Sequence, residues 1–288
     1  MIVRIEPYGA LVYSKRRAVT VRMNKCEAKR YLSYEGSFPN DLTAPEIVHL
    51  EISNRCTKDC GYCYVEKKGD ELPTEKWKGI IEDLAENRVL QVTFGGGEPF
   101  LRDDLYELAL YADDIGMNTA VTTNGDPLEP SFKVSVFRQV NFSVHGNLGE
   151  LKPKILATQD FTEVGINFVL KEEYEGLLEP TAEFCRENDV ELLLLSYKPV
   201  NGDEREAIAP QEVYRRAESL ADKGAPVAVD GMTCHKCMAA RRFVDVDSEG
   251  NVTPCSFVRE PIGNLLESSF SEIWAGREVP QSCPYRIA

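Results

Sequence analysis

Apolar runs alternate with amphipathic segments from residue 46 to residue 223. The runs are short and continuously apolar, which is typical of parallel strands that are covered on both faces. They are Ile47–Ile52, Val89–Phe94, Met117–Thr123, Gln139–Val144, Val164–Leu170 and Val190–Tyr197. The segments with helical periodicity are Thr74–Asn87, Asp103–Ile115, Tyr174–Asn188 and Pro210–Lys223. This alternation predicts an α/β fold with right-handed crossovers, which we interpret as a partial (β/α)6 TIM-like barrel. The pattern alone leaves an open doubly wound sheet as the alternative.

Shorter patterns flank this region. Three brief strand-like runs, Ile2–Glu6, Ala10–Ser14 and Ala18–Arg22, predict an N-terminal β hairpin packed on the main domain. Near the other end, a Ser-Glu-Gly-Asn turn at residues 248–251 separates two apolar runs and predicts a second hairpin. We therefore divide the chain into a hairpin extension (residues 1–45), a barrel (46–229) and a small C-terminal domain (230–288).

Composition and charge narrow the possible partners. The 288 residues carry a net charge of −14, whereas nucleic-acid-binding proteins usually show a basic face that neutralises phosphates. Nucleic acid and anionic membranes are therefore disfavoured. No apolar run approaches the roughly 20 residues of a membrane span, and the N-terminus lacks the pattern of a secretory signal. We expect a cytoplasmic protein.

The nine cysteines point to metal or redox chemistry, because an odd number argues against a disulfide framework. Cys56, Cys60 and Cys63 follow the first barrel strand in a Cys-x3-Cys-x2-Cys loop. One short loop with three thiolates can wrap an iron–sulfur cube and leave one iron open for a further ligand. Structural zinc normally takes a fourth Cys or His, which this loop lacks. The spacing favours iron–sulfur and leaves zinc as the alternative.

With Tyr62 immediately before its third cysteine, the loop resembles the signature of the radical S-adenosylmethionine (SAM) superfamily. In that family the open iron binds the amino and carboxylate groups of SAM. One-electron reduction then releases a 5′-deoxyadenosyl radical that abstracts hydrogen from a substrate. The resemblance implies a 4Fe–4S cluster and SAM as cofactors, and an external one-electron donor of the flavodoxin or ferredoxin type. It also implies that Tyr62 shields the cluster near the adenine.

Further motifs stand at the ends of successive predicted strands. Gly95-Gly96-Gly97-Glu98-Pro99 resembles the Gly-Gly-Glu-Pro motif of the family, in which the glycines allow close approach of a ligand. Glu98 can accept hydrogen bonds from an ammonium group. Polar ends of the next strands resemble family segments that contact SAM, although polar residues that cap a sheet are the alternative for each residue alone. Ligands bind at the carboxyl ends of parallel strands, which agrees with these positions. The implied SAM-binding residues are Tyr62, Gly96, Gly97, Glu98, Pro99, Thr123, Asn124, Ser143, His145 and Phe168.

The C-terminal cysteines form a second group. Cys234, Cys237, Cys255 and Cys283 can converge on one centre, and either zinc or iron–sulfur satisfies that geometry. The segment 242–274 resembles the auxiliary-cluster extension called SPASM, or its shorter relative called twitch, so that the resemblances together span roughly Glu46 to Cys283. Four cysteines imply one auxiliary 4Fe–4S cluster. We favour its closure by Cys283, with an open iron as the alternative.

Three functions follow from these patterns. The first is a radical SAM enzyme that oxidises or cross-links a ribosomally made peptide, with the auxiliary cluster as electron acceptor. The second is a cofactor-pathway enzyme acting on a haem precursor or a related small molecule. The third is a non-enzymatic protein that holds structural zinc. The sequence singles out no catalytic base, because Asp and Glu are abundant.

Overall fold

The computed structural model describes residues 1–15, 19–67, 71–200, 202, 206–230, 237–281 and 283. The strands and helices are β1 (Ile2–Glu6), β2 (Gly9–Ser14), β3 (Val19–Asn24), α1 (Lys25–Tyr31), β4 (Ile47–Ser53), α2 (Thr74–Glu86), β5 (Gln91–Gly96), α3 (Leu105–Asp114), β6 (Asn118–Thr123), β7 (Gln139–Val144), α4 (Leu148–Gln159), β8 (Glu163–Leu170), α5 (Glu175–Asn188), β9 (Glu191–Ser196), α6 (Pro210–Asp222), β10 (Val227–Val229), β11 (Phe243–Val246), β12 (Asn251–Thr253), β13 (Gly263–Asn264) and α7 (Phe270–Gly276).

A ten-stranded sheet forms the centre of the molecule, in the order β10-β9-β8-β7-β6-β5-β4-β11-β12-β13. From β4 to β10 the strands are parallel and lie next to each other in chain order. A doubly wound sheet reverses its strand order midway, and β4 to β10 do not. The α/β fold is therefore confirmed, with the continuous winding of a partial barrel rather than the doubly wound alternative.

The two faces of the sheet differ in polarity. In β7, Val140, Phe142 and Val144 are buried in the main core, together with apolar residues of α2 to α6. Asn141 and Ser143 alternate with them on the opposite face and are partly exposed. The expectation of strands with two covered apolar faces is thus wrong, because polar residues alternate within runs that read as continuously apolar. The polar face is free to line a binding site.

Boundaries of the long elements agree with the prediction within about two residues, whereas short or atypical elements were missed. Helix α4 was not predicted because it contains Gly149 and Pro153, which are both unfavourable inside a helix. The helices α1 and α7 have seven residues each, which is too short for a clear periodicity.

The N-terminal extension contains three antiparallel strands, β1, β2 and β3, where three strand-like runs were predicted, and adds helix α1. Residues 16–18, where the third predicted run begins, lie outside the described residues. Arg4 fixes this extension to the barrel. Its buried guanidinium donates to the carbonyls of Ala44 (2.6 Å) and Pro45 (2.8 Å), just before β4, and to that of Arg88 in the barrel (3.3 Å), while Glu6 neutralises its charge.

The C-terminal segment continues the central sheet. β11 pairs in parallel with β4, and β12 pairs with β11 in the predicted antiparallel hairpin. Helix α7 is anchored by Trp274, whose indole N–H donates to the carbonyl of Leu42 at 2.8 Å. The hairpin therefore lies beside the strand that leads into the Cys56–Cys63 loop. The boundaries of the three domains stay predictions.

Candidate active site

The Cys56–Cys63 loop follows β4, which ends at Ser53. The loop therefore begins at the carboxyl end of this strand. Its three cysteines are free thiols and partly buried. Burial raises the pKa of the Cys60 thiol, and the neighbouring Cys63 and Cys56 raise it further. The three sulfur atoms therefore lie within electrostatic reach of one another. Such a group needs a bound metal to hold all three as thiolates near neutral pH.

The glycine triplet packs against the start of this loop. Gly96 has a φ of +106°, and a Cβ there would lie 2.3 Å from the carbonyl oxygen of Ser53. A Cβ on Gly97 would lie 2.0 Å from the carbonyl oxygen of Arg55. The backbone N–H groups of Gly97 and Glu98 donate to these two carbonyls at 2.6 and 2.7 Å. Because glycine has no side chain, the backbone at the end of β5 can approach the cysteine loop closely and hold it by hydrogen bonds.

Glu98 links the ends of two strands. Its fully buried carboxylate accepts hydrogen bonds from the Thr123 hydroxyl (2.8 Å), the Asn124 backbone N–H (2.8 Å) and the Phe100 backbone N–H (3.1 Å). Burial raises the pKa of Glu98 to about 7, although these hydrogen bonds oppose the shift. Pro99 is buried in the short 3-10 turn that follows. Donation from an ammonium group to Glu98 stays a prediction, since both oxygens already accept from this chain.

Polar hydrogens point at the first cysteine sulfur. The Asn124 side-chain amide lies 3.5 Å from Cys56 Sγ and 3.3 Å from Thr57 Oγ1, and the Lys58 backbone N–H lies 3.4 Å from the same sulfur. Hydrogen bonds to cysteine sulfur are a main means of tuning iron–sulfur clusters. Three converging thiols with amide donors on one of them therefore fit a cluster with an open corner.

Tyr62 and His145 meet over the second cysteine. Burial lowers the pKa of His145 to about 4, so its ring is neutral at pH 7 and Nδ1 can accept from the Tyr62 hydroxyl. The same nitrogen lies 3.9 Å from Cys60 Sγ. Ser143 precedes His145 by two residues on the polar face of β7. The structure thus brings Tyr62 and His145 together at the cysteine loop, as their sequence positions suggested.

An aromatic wall that the sequence analysis missed adjoins this pair. The Tyr62 ring centroid lies 6.4 Å from that of Tyr174 and 6.0 Å from that of Tyr197. The ammonium group of Lys171 lies 5.2 Å from the Tyr62 centroid and 4.6 Å from the Tyr174 centroid. Lys171 and Tyr197 directly follow β8 and β9, so the rule that sites form at carboxyl ends of strands could have found them.

Phe168 does not join this site. Its side chain is fully buried in the main core, on the face of β8 that packs against the helices. It cannot contact a ligand on the polar face, which corrects the expectation that Phe168 packs on an adenine. The error arose because adjacent strand residues point to opposite faces, and a sequence match does not resolve which one faces the ligand.

The tail cysteines form a second group of thiols. Cys255 is buried, and burial raises its pKa, which the nearby Cys237 and Cys283 raise further. Cys237 and Cys283 therefore both lie within electrostatic reach of Cys255, an arrangement that fits a second metal centre. Cys234 lies outside the described residues, so its role as a ligand stays a prediction.

Comparison with known proteins identifies the family. Residues 50–163 match the family model of the radical SAM superfamily, and residues 237–286 match SPASM, an iron–sulfur cluster-binding domain. These matches define the class as SAM-dependent iron–sulfur enzymes. The chain belongs to the radical SAM superfamily, in the branch with a SPASM auxiliary-cluster domain. Its cofactors are SAM and 4Fe–4S clusters, which excludes the alternative of a non-enzymatic zinc protein.

Individual relatives agree with this family. The PqqA peptide cyclase of Gluconobacter oxydans is 30% identical over 274 residues, which cover 80% of this chain and 76% of the cyclase. That of Bradyrhizobium diazoefficiens is 45% identical over 84 residues, only 28% of this chain and 22% of the cyclase. Streptococcus suis SuiB, solved with its precursor peptide SuiA, superposes with a TM-score of 0.73 at 17% identity, covering 94% of this chain and 86% of SuiB. At that identity the likeness shows the fold alone.

A search of the described helices for candidate membrane spans finds none with the length and apolar character that crossing a bilayer requires.

Proposed function

We propose that this radical SAM enzyme oxidises or cross-links a side chain of a ribosomally made peptide. The observation that carries the proposal is the 30% identity to a PqqA peptide cyclase across 76% of that protein. The peptide-bound SuiB structure, which has the same fold, adds support for a peptide over a haem precursor.

In this proposal Cys56, Cys60 and Cys63 hold the cluster that binds SAM. When bound, the cluster and SAM supply a 5′-deoxyadenosyl radical. The side chain of Asn124 orients Cys56 by donating to its sulfur, and the Tyr62–His145 pair covers Cys60. These contacts would restrain the Cys56 and Cys60 side chains in the positions from which they hold the cluster.

The remaining electron goes to the tail. On formation of the new bond the peptide would give up one hydrogen atom, which ends in 5′-deoxyadenosine, together with one electron and one proton. Cys234, Cys237, Cys255 and Cys283 would hold the auxiliary 4Fe–4S cluster that receives the electron, and the proton passes to solvent. An external flavodoxin or ferredoxin would supply the electron that starts each turnover, in the cytoplasm.

The aromatic wall would bind part of the peptide. Tyr174, Tyr197 and Lys171 stand beside Tyr62 at adjacent strand ends. Stacking on the tyrosines suits an aromatic side chain of the substrate. The ammonium group of Lys171 already pairs with Glu173 and Glu206, so it holds the wall together rather than attracting an acidic group.

The test uses anaerobically reconstituted protein, SAM, a reductant and short peptides encoded beside the gene. We expect brown protein with about eight irons per chain, as two 4Fe–4S clusters require, and a peptide that loses two hydrogen atoms by mass spectrometry. Cys60→Ala, prepared in the same way, should leave the peptide unchanged. Protein that cleaves SAM and converts a haem precursor, while it leaves every such peptide unmodified, would refute the proposal.

A further inference from the structure

A buried polar layer connects the barrel to the cysteine tail. On the polar face of β4, His49 and Glu51 are only 7% and 2% exposed. β11 places the fully buried Asp245 directly beside His49 in the sheet register. His49 Nδ1 lies 3.1 Å from Asp245 Oδ1. Close to the end of β4, where the first cysteine loop begins, the sheet thus contains ionisable groups that none of the SAM-binding motifs include.

Arg259 connects this layer to the second cysteine site. Its guanidinium donates to both oxygens of Glu51, at 2.6 and 3.0 Å, and lies 3.9 Å from Asp245 Oδ2. The same guanidinium approaches the carbonyl oxygen of Ser256 at 3.4 Å. The turn closes where the Val258 backbone N–H donates to the carbonyl of Cys255 at 3.2 Å. Arg259 therefore fastens the turn that carries Cys255 onto β4.

An aromatic contact joins the two cysteine loops above this layer. Tyr64 directly follows Cys63, and its ring centroid lies 5.2 Å from that of Phe257, two residues beyond Cys255. The Tyr64 ring also lies 6.5 Å from His49. A residue adjacent to a ligand of the first cluster thus touches the turn that carries a ligand of the second.

The layer has the donor types of a cation site, because ligand atoms of His49, Glu51 and Asp245 lie within 4.8 Å of one another. However, Arg259 occupies both oxygens of Glu51, and its charge repels a metal ion. Buried ion pairs add little net stability compared with an apolar layer of the same volume, but their directional bonds can specify one geometry. Fixed geometry is therefore the better explanation of this layer.

We propose that Glu51 and Arg259 are a positioning pair that holds the Cys255 turn in one place relative to the Cys63 loop. The consequence for reaction coupling rests on the proposed function, since a fixed separation matters when an electron must reach the tail. Misplacement by about 1 Å at a reacting centre can cost about 100-fold in rate. Loss of the pair should therefore impair product formation while SAM cleavage at the first loop continues.

The experiment compares reconstituted wild-type enzyme with Glu51→Gln, Arg259→Gln and the control Arg138→Gln. Arg138 forms an exposed ion pair with Glu163 at 2.8 Å, away from both cysteine loops. All proteins should bind the same amount of iron. In Glu51→Gln and Arg259→Gln, we expect the ratio of 5′-deoxyadenosine to modified peptide to rise at least about tenfold. We also expect the g values and midpoint potential of the auxiliary cluster to change, whereas Arg138→Gln matches the wild type.

Arg259→Lys keeps the proposal testable if Arg259→Gln fails to fold. Lysine retains the charge but lacks the fork that reaches both carboxylate oxygens, so we expect an intermediate ratio and an intermediate spectral change. A wild-type ratio and spectrum in Glu51→Gln and Arg259→Gln overturn the proposal, as does a wild-type result for Arg259→Lys when Arg259→Gln does not fold. The spectral measurement needs no substrate, so it still decides the positioning role if no peptide is modified and the proposed function fails.

Discussion

The two cysteine sites differ in what surrounds their sulfur atoms. In the first, Cys56, Cys60 and Cys63 are partly exposed and face polar side chains from neighbouring strand ends. In the second, Cys255 is only 4% exposed and begins the turn that follows β12, whereas Cys237 and Cys283 are partly exposed. Partly exposed thiols among polar side chains suit exchange of a small ligand, whereas a buried thiol such as Cys255 suits transfer of an electron without ligand exchange. The difference indicates that the two centres have separate tasks, which can be tested separately.

The largest expected effect separates these tasks at the first site. Cys60→Ala removes one of three thiolates from the open cluster, so SAM cleavage should fall by at least about 1,000-fold, the scale of losing an essential group. Iron at the tail should remain. Release of 5′-deoxyadenosine by liquid chromatography, together with iron analysis, checks this prediction.

Cys255→Ala is the matched change at the second site. It should preserve SAM cleavage without substrate but abolish modified product, because the electron acceptor is lost. Unchanged product formation in Cys255→Ala would show that the tail has no part in the reaction, and the distinction between the two sites would disappear.

A second prediction concerns the packing that is specific to the first site. In Gly97→Ala the new Cβ would lie 2.0 Å from the carbonyl oxygen of Arg55, so the cysteine loop must shift. We expect a loss of about 2 kcal/mol or more in the free energy of unfolding, as for other overpacked sites. Urea denaturation of metal-free protein measures it. Gly149→Ala is the control, because a Cβ there meets no atom within 4 Å and lies in helix α4; it should be neutral or stabilising. Equal losses in both variants would contradict the role of Gly97.

The hydrogen bonds to sulfur provide a smaller effect. Asn124→Leu removes the amide that lies 3.5 Å from Cys56 Sγ. Loss of such an outer contact typically costs about 10-fold or more in metal affinity or activity, so SAM cleavage should fall by about that factor. EPR of the reduced protein should change only in the signal of the first cluster. A change confined to the signal of the auxiliary cluster would show that Asn124 acts on the second site and not on the first.

The sequence predicted those parts of the two sites that depend on residues close together in the chain, and missed those that depend on contacts between distant residues. The cysteine loop and the strands around it are local, so spacing and periodicity predicted them well. The sequence did not predict the side-chain direction of Phe168, because that direction depends on which face of the sheet packs against the helices. The Glu51–Arg259 pair spans 208 residues and has no local pattern. Lys171 and Tyr197 were within reach, since Lys171 directly follows one predicted strand and Tyr197 is the last residue of another.

The smallest predicted effect is a pH dependence at the first site. Burial raises the pKa of Glu98 from 4.5 to about 7 in the folded protein. A raised pKa means that the folded state binds the proton more tightly, so this contribution to stability is fully present below pH 4.5 and is lost as the pH rises through about 7. Between about pH 6 and pH 8 the free energy of unfolding should fall by about 1 kcal/mol on this account. Glu98→Gln cannot titrate, so the difference between its urea midpoints at these two pH values should be smaller than in the wild type. Its absolute stability should be lower at both, because the amide nitrogen cannot accept from the Asn124 N–H. An identical pH slope in both proteins would show that Glu98 stays ionised throughout, and that the interior of the first site is less apolar than its burial indicates.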